Sequence, residues 1–458
     1  MSKTINNGAN AAFASYREAV DWITGLTSLG IRPGLERMNR LLSKLDHPER
    51  RLKFIHVAGT NGKGSTCAYL ARVLLQAGYQ VGTFTSPYIS SYRDRIQFNG
   101  QNIEEETLLA IVNEIKPHVD EMAETEFGPM TMFEVSTAIA IQYFARVVYP
   151  DFVVWETGLG GRLDVTNVVH PIVSVITNVG HDHMDILGDS LEKIAAEKAG
   201  IIKAGVPVIS GAAQPEAVEV LKRTAAEKKA TLYLLGEQFR YEPVRSQLDE
   251  QTFHFAGPFR AIRDVTITMN GAHQMTNASV ALMTLEVLRQ YYAAILEDED
   301  LLEGMKRTQW AGRLEMIRRE PALLIDGAHN PEGAESLASA LRNTYRYEKL
   351  HLMMGMLSNK NHKDYLRHIL PIVDTLIITE PDFRKKMNAS DLADLAETIL
   401  RDIGKEVIPI VEPDWKKALD RLTAVTKPGE LGVVTGTLYL ISDVRSWILH
   451  RSDSEKGW

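Results

Sequence analysis

The sequence predicts an α/β protein in two parts. A P-loop-type domain on a mostly parallel sheet comes first, then a smaller Rossmann-like α/β domain, with an active-site cleft between them. Three observations predict this. Residues 52–86 read as strand, glycine-rich turn, helix and strand, a unit that favours parallel strands joined by crossover helices. After Trp310, apolar runs of strand length again alternate with helical stretches. The 458 residues are enough for two or three separate cores.

Composition narrows the class. Lys and Arg number 51 against 59 Asp and Glu, a formal net charge of −8, so there is no broad basic footprint and nucleic acid is not an expected partner. Cys67 is the single cysteine, which excludes an internal disulfide framework and fits a reducing compartment. No apolar stretch reaches the roughly 18 residues that a spanning helix needs, and the first residues, MSKTINNGANAAF, lack the apolar stretch of an export signal. A cytoplasmic protein without membrane attachment is expected.

The elements follow in order. Tyr16, Val20 and Ile23 share one helical face, and Leu35, Met38, Leu42 and Leu45 share another, with Pro33-Gly34 between them. The strand LKFIHVA (52–58) empties into GTNGKGS (59–65), a helix follows, and VGTFTS (81–86) is the next strand. Helices are predicted over 104–124 and 132–148, then strands DFVVWE (151–156) and PIVSVITNV (171–179). Asp189 and Glu192 have capping-box spacing for a helix carrying Glu197 and Lys198, which Gly200 closes. Alternation in TFHF (252–255) and VTITM (265–269) predicts antiparallel strands at the sheet edge, and a helix spans 273–296. Beyond a junction near 308–312, with Gly312 as hinge, strands are predicted at 322–326, 351–356, 375–379, 407–411 and 432–436. The division is therefore 1–308 and 309–458, with the tail RSDSEKGW frayed.

The chemistry gathers at strand ends. In GTNGKGS the glycines let backbone N–H groups surround a phosphate, the helix N-terminus adds partial positive charge, and Lys63 adds a full one. Ser65 could reach a nucleotide's metal, although Val57 stands where the usual pattern has its first glycine and Gly64 separates Lys63 from Ser65. A tight turn that simply needs glycine is the plainer alternative. Glu156 closes an apolar strand where a nucleotide's Mg²⁺ is usually held. His181, Asp182, His183 and Asp185 crowd another strand end; zinc would want a third ligand of matching kind, and no cysteine is at hand. In DGAHNP (326–331), Asn330 suits an N-cap and Pro331 a first helical turn, which puts Asp326 and His329 at the mouth of a helix.

Taken in order, IHVAGTNGKGS, TSPYI, ETGLGGRLDVTN, DHMDILG, AEKAGI, GAHQMTNA, GRLE, DGAHNP and TGTLYL resemble the folylpolyglutamate synthases, a group within the Mur ligase family of ATP-dependent amide-forming enzymes. The resemblance runs from about Tyr16 to Arg445. It implies that L-glutamate is joined to a folate through an acyl phosphate at the expense of ATP. It also implies roles by position. Gly59, Thr60, Asn61, Gly62, Lys63, Gly64 and Ser65 would hold the triphosphate. Ser65, Ser86, Glu156 and His183 would bind Mg²⁺, two ions in all, with Lys198 carbamylated beside them. Asn277 would face the adenine, and Arg313, Asp326 and His329 would reach the nucleotide from the second domain. Lys63, Lys198, Asp326 and His329 would be the catalytic set. The folate would lie near Pro87, Tyr88, Phe133, Glu134, Arg162, Leu163 and Asp164.

Dihydrofolate synthase, or an enzyme with both activities, is the alternative within the group. A peptidoglycan Mur ligase would carry a further α/β domain before the phosphate loop, whereas 58 residues with helical pattern precede Gly59. A non-catalytic nucleotide switch would not need Lys63, Glu156, His183, Lys198 and Asp326 together. A monomer is expected, since this architecture works as one.

Overall fold

The computed structural model describes residues 12–30 and 32–455. Eight strands form the first sheet: β1 (Phe54–Ala58), β2 (Val81–Phe84), β3 (Ile96–Phe98), β4 (Gln101–Asn102), β5 (Phe152–Glu156), β6 (Val173–Ile176), β7 (Val208–Ser210) and β8 (Leu232–Leu234). Their order is β4-β3-β2-β5-β1-β6-β7-β8, parallel except where β3 pairs with β2 and β4. β1 and β5 are buried along their whole length, as unbroken apolar runs between two helical layers should be. β1 lies between β5 and β6, so successive crossovers leave a crevice at its C-terminal end.

TFHF and VTITM do not extend this sheet. They belong to a separate antiparallel sheet of β9 (Arg240–Gln247), β10 (Glu250–Ala256) and β11 (Ala261–Ile267). Phe253, Phe255, Val265 and Ile267 face the same core as the helices Lys63–Gln76 and Ala272–Tyr292, so the apolar alternation was read correctly but its neighbour was not the sheet edge. The last sheet holds β12 (Glu315–Arg319), β13 (Ala322–Ile325), β14 (Leu350–Met354), β15 (Thr375–Glu380), β16 (Ile410–Asp414) and β17 (Leu431–Thr435), ordered β12-β13-β17-β14-β15-β16. β12, an antiparallel edge strand, has no counterpart in the sequence reading. β16 starts later than expected because Pro409 has no N–H to give a ladder.

Local signals were displaced in three places. Ser190, not Asp189, caps the helix Leu191–Ala199 by accepting the Lys193 N–H, while Asp189 pairs with the Lys193 side chain. Gly200 ends that helix in ordinary right-handed conformation (φ −60°). Glycine is needed there because a Cβ would sit 2.3 Å from the Arg162 Cα, where the 157–167 loop crosses the helix end. Gly312 has φ +71°, but a Cβ would meet the Ile441 side chain at 2.8 Å, so it makes a packed turn and not a free hinge.

The tail is also not frayed as far as Glu455. Its carboxylate accepts hydrogen bonds from the Tyr92 N–H (2.7 Å), the Ser91 hydroxyl (3.0 Å) and the Tyr16 hydroxyl (3.1 Å), and Ser454 donates to Asp443. Residues 456–458 lie outside the described residues.

The helix Met132–Tyr143 is buried on nearly every side and is fixed at its start by a capping box between Thr131 and Glu134. Glu134 also meets Arg37 at 2.8 Å, with 3% and 10% of the two side chains exposed. Removing one partner would strand a buried charge, so Arg37→Ala is expected to destabilise the chain by about 3 kcal/mol. Thermal unfolding of the variant, with a melting temperature below that of the parent, is the check.

Candidate functional site

The phosphate loop is fastened before any ligand arrives. The Asn178 side-chain oxygen accepts the N–H groups of Thr60 (3.2 Å) and Asn61 (2.8 Å), and Thr177 donates to the Asn61 carbonyl at 2.6 Å. Gly62 takes φ +79°, where a Cβ would lie 2.3 Å from the Asn277 side-chain oxygen. Asn277 is thus placed against the loop itself, next to Gln274, which donates to the buried Ser65 hydroxyl at 3.3 Å. Lys63 folds back so that its ammonium lies 3.1 Å from the Gly59 carbonyl and 3.5 Å from that of Thr60. Trp310, which the sequence marked only as the start of the second strand–helix alternation, closes over Gly64, whose Cβ would sit 2.7 Å from the indole nitrogen.

Glu156 stands at the end of β5, in register with Val57 of β1. One carboxylate oxygen accepts the Ser86 N–H at 2.9 Å, just before the cis Ser86–Pro87 peptide. Only 3% of Glu156 is exposed, and burial pushes its carboxyl up despite the opposing pull of Lys63, the Ser86 N–H and Arg313. His183 sits in left-handed conformation (φ +50°) at the start of a single helical turn. Burial, followed by the charge of Lys360, lowers its imidazole to about 4, so the ring is neutral at pH 7 and able to act as a ligand. Lys198 is 2% exposed, and burial followed by repulsion from Lys63 lowers its amine to about 7. The Lys63 charge acts on Glu156, His183 and Lys198 alike, so the four share one electrostatic environment.

These donors suit Mg²⁺. A buried carboxyl that holds its proton more tightly than usual is short of positive charge, and hydroxyl oxygens and a neutral imidazole accompany it. Among the described residues no three His, Cys, Asp or Glu side chains form a cage for an ion. An ion held largely by nucleotide phosphates and water needs no such cage.

The second sheet brings its own strand ends to the same crevice. The Asp326 carboxylate, after β13, accepts the N–H groups of Leu314 and Ala328, each at 2.9 Å, and so fixes both the Arg313 segment and the loop bearing His329. Asn330 caps the helix Pro331–Asn343, as expected. Its amide also pairs reciprocally with that of Asn61 at 3.0 and 3.2 Å, joining the second domain to the phosphate loop. His329 has its Nδ1 2.8 Å from the Gly327 carbonyl and its Nε2 3.4 Å from Asp182. Both ring nitrogens of His329 are thus engaged. Lys360, in the loop after β14, meets Asp182 at 2.6 Å. The sequence reading missed it, though its place just beyond a strand end was a usable signal.

The expected folate residues divide. Tyr88 is 2% exposed, with the Arg95 guanidinium 4.9 Å from its ring centre, and Pro87 is its neighbour. Phe133 stacks on Phe84 and lies over Gly158, where a Cβ would be 2.6 Å from the ring. Leu163 is partly exposed. The carboxylates have partners within the chain. Glu134 is taken up by Arg37 and Thr131, and Asp164 accepts the N–H groups of Leu159 and Thr166 and the Thr166 hydroxyl, so both are committed to holding the fold. Arg162 is exposed and paired with Glu197.

A fastened phosphate loop facing a buried acid, a neutral histidine and a second domain across a crevice defines a two-domain ATP-dependent ligase. The sequence matches the Mur ligase middle domain over residues 57–285 and the Mur ligase glutamate ligase domain over residues 312–438. It is 39% identical over 436 residues to the dihydrofolate synthase/folylpolyglutamate synthase of Bacillus subtilis, covering 94% of this chain and 99% of that one. Mycobacterium tuberculosis folylpolyglutamate synthase, solved with ADP and AMPPCP, superposes with a TM-score of 0.88 at 28% identity, over 96% and 100% of the two chains. E. coli FolC in complex with DHPP and ADP gives a TM-score of 0.84 at 27% identity, over 96% and 99%. The chain belongs to the folylpolyglutamate synthase/dihydrofolate synthase group of the Mur ligase family.

Proposed function

We propose that this chain adds L-glutamate to tetrahydrofolate and its glutamylated forms, converting ATP to ADP and phosphate, with the residues described above in the roles their places suit. The observation that carries this reading is the reciprocal Asn61–Asn330 pair, which sets the Asp326–His329 loop against the phosphate loop. A second reading, that the same site also adds the first glutamate to dihydropteroate, is favoured by the double name of the Bacillus relative and by the DHPP complex of the E. coli one. Mass analysis of products from dihydropteroate and from tetrahydrofolate, each with glutamate and ATP, tests both. Absence of any glutamylated product would overturn the first.

A carboxylate resists amines until one of its oxygens becomes a leaving group, and phosphorylation by ATP makes it one. The residues from Gly59 to Ser65 offer N–H groups to the phosphates, and Lys63 neutralises charge that builds on the transferred group. Asn277 bears on the nucleotide from the other side of that loop. Ser65, Ser86, Glu156, His183 and a carbamylated Lys198 would hold two Mg²⁺ ions, which supply positive charge to the phosphate oxygens. Arg313 and His329 add charge from the second domain, and closure of the cleft keeps water from the acyl phosphate. The pterin and its tail would lie near Pro87, Tyr88, Phe133 and Leu163. We further propose that the domains divide at 308/309, and that the protein acts as a cytoplasmic monomer; light scattering tests the oligomeric state. No described helix is long and apolar enough to cross a membrane.

Asp326 orients both Arg313 and His329 through backbone N–H groups, so its loss should misplace two charges at once. Asp326→Ala is expected to lower kcat by about 100-fold while ADP affinity changes less than about threefold. Steady-state kinetics and calorimetric titration with ADP are the checks. Unchanged turnover would remove Asp326 from the mechanism.

A further inference from the structure

We propose that Asp182 is a positioning residue for ligation, a carboxylate of the first domain that gathers two loops of the second into the reactive arrangement. The proposal rests on the ligase reading but gives a role to a residue that reading leaves idle. Asp182 follows β6, next to His183, whose N–H donates to its Oδ1 at 2.9 Å. The same Oδ1 accepts the Lys360 ammonium at 2.6 Å. Oδ2 accepts the Asn330 amide at 3.2 Å and faces the His329 Nε2 at 3.4 Å. One carboxylate thus holds the loop after β13 and the loop after β14.

The geometry favours a firm attachment. The Lys360 and Asp182 side chains are only 6% and 10% exposed, so their attraction is little screened and losing one partner leaves the other buried and unpaired. On His329, the Gly327 carbonyl can only accept, so Nδ1 carries a hydrogen and the ring is gripped at both ends. Separating the domains would break the Asp182 contacts to Lys360, Asn330 and His329 and keep the one to His183. Asp182 therefore links the position of His329 and Lys360 to closure over the phosphate loop.

The test uses full-length Asp182→Ala, Asp182→Glu and Lys360→Ala, and the Asp182→Ala/Lys360→Ala double variant, with ATP, glutamate and tetrahydrofolate. Each alanine variant should lower kcat by about 50-fold, while calorimetric ADP affinity moves less than about threefold. The double variant should fall no further than the worse single one, because both break the same link. Asp182→Glu should recover to within about tenfold of the parent. Turnover of Asp182→Ala within about threefold of the parent, or losses that multiply in the double variant, would overturn the proposal. Should Asp182→Ala not fold, Asp182→Asn decides: it should fold and lose about tenfold or more in kcat. Parent-like turnover, or failure of that variant to fold, would also overturn it. A parent chain that forms no glutamylated product would instead overturn the ligase reading.

Discussion

Lys63→Ala is expected to abolish ligation, lowering kcat by about 1,000-fold, while the melting temperature stays within about 2 °C of the parent. The ammonium rests on two loop carbonyls and fills no core position, so its removal opens no apolar cavity. The loss would extend beyond the phosphates. Lys63 helps to lower the amine of Lys198 and the imidazole of His183, and opposes the rise in Glu156. Without it, Lys198 and His183 would hold protons more tightly and Glu156 would ionise less readily. All three changes disfavour a cation at the site. Steady-state assay beside thermal unfolding decides the matter, and activity within about tenfold of the parent would refute the phosphate-loop assignment.

Lys198→Ala should likewise be nearly inactive, and short carboxylic acids such as acetate should restore part of the activity by supplying an anion to the vacated space. The chemical reason is the amine's depressed value of about 7. Only a neutral amine attacks CO₂, so at pH 8 most of the buried amines are competent, and below pH 7 the competent fraction falls about tenfold per unit. Mass measurement of the parent under CO₂ should show the added group above pH 7 and its decline below. The uncarbamylated protein gives an independent reading. Between pH 7 and 10.5 the unfolded chain keeps a proton on Lys198 that the folded chain has released, so stability should rise with pH across that window. Below 7 both states are charged, and the full cost of burying the ammonium remains. Lys198→Met should lose this part of the pH dependence. Full activity of Lys198→Ala without any additive would show that the lysine plays no part in the site.

Residues near one another in sequence were the ones whose places in the fold could be read. The strands leading to Gly59, Glu156 and Asp326 are continuous apolar runs, and the cap at Asn330 sits beside Pro331, so both followed from local chemistry. Asp182 and Lys360 are 178 positions apart, and nothing in either segment names the other. The same holds for Glu134, whose partner Arg37 lies 97 positions away and helps to fasten the start of a helix. Ser190 and Asp189 were both able to cap, and only the backbone path chose between them. Asp164 is held mainly by the backbone N–H groups of Leu159 and Thr166, and such groups are offered by every residue and announced by no residue type.

The attachment of Glu455 to the Ser91–Tyr92 turn has a consequence for the order of synthesis. The segment it secures leads from Ser86 to Arg95 and leaves the ribosome more than 350 residues earlier. Domains fold from the N-terminus as they emerge, so the first domain must reach its shape with that turn unsecured. Glu455 completes it only later, so a chain truncated before Glu455 would lack the hydrogen bonds that this carboxylate accepts from the turn. Affinity tags joined directly after Glu455 would bear on the same contact.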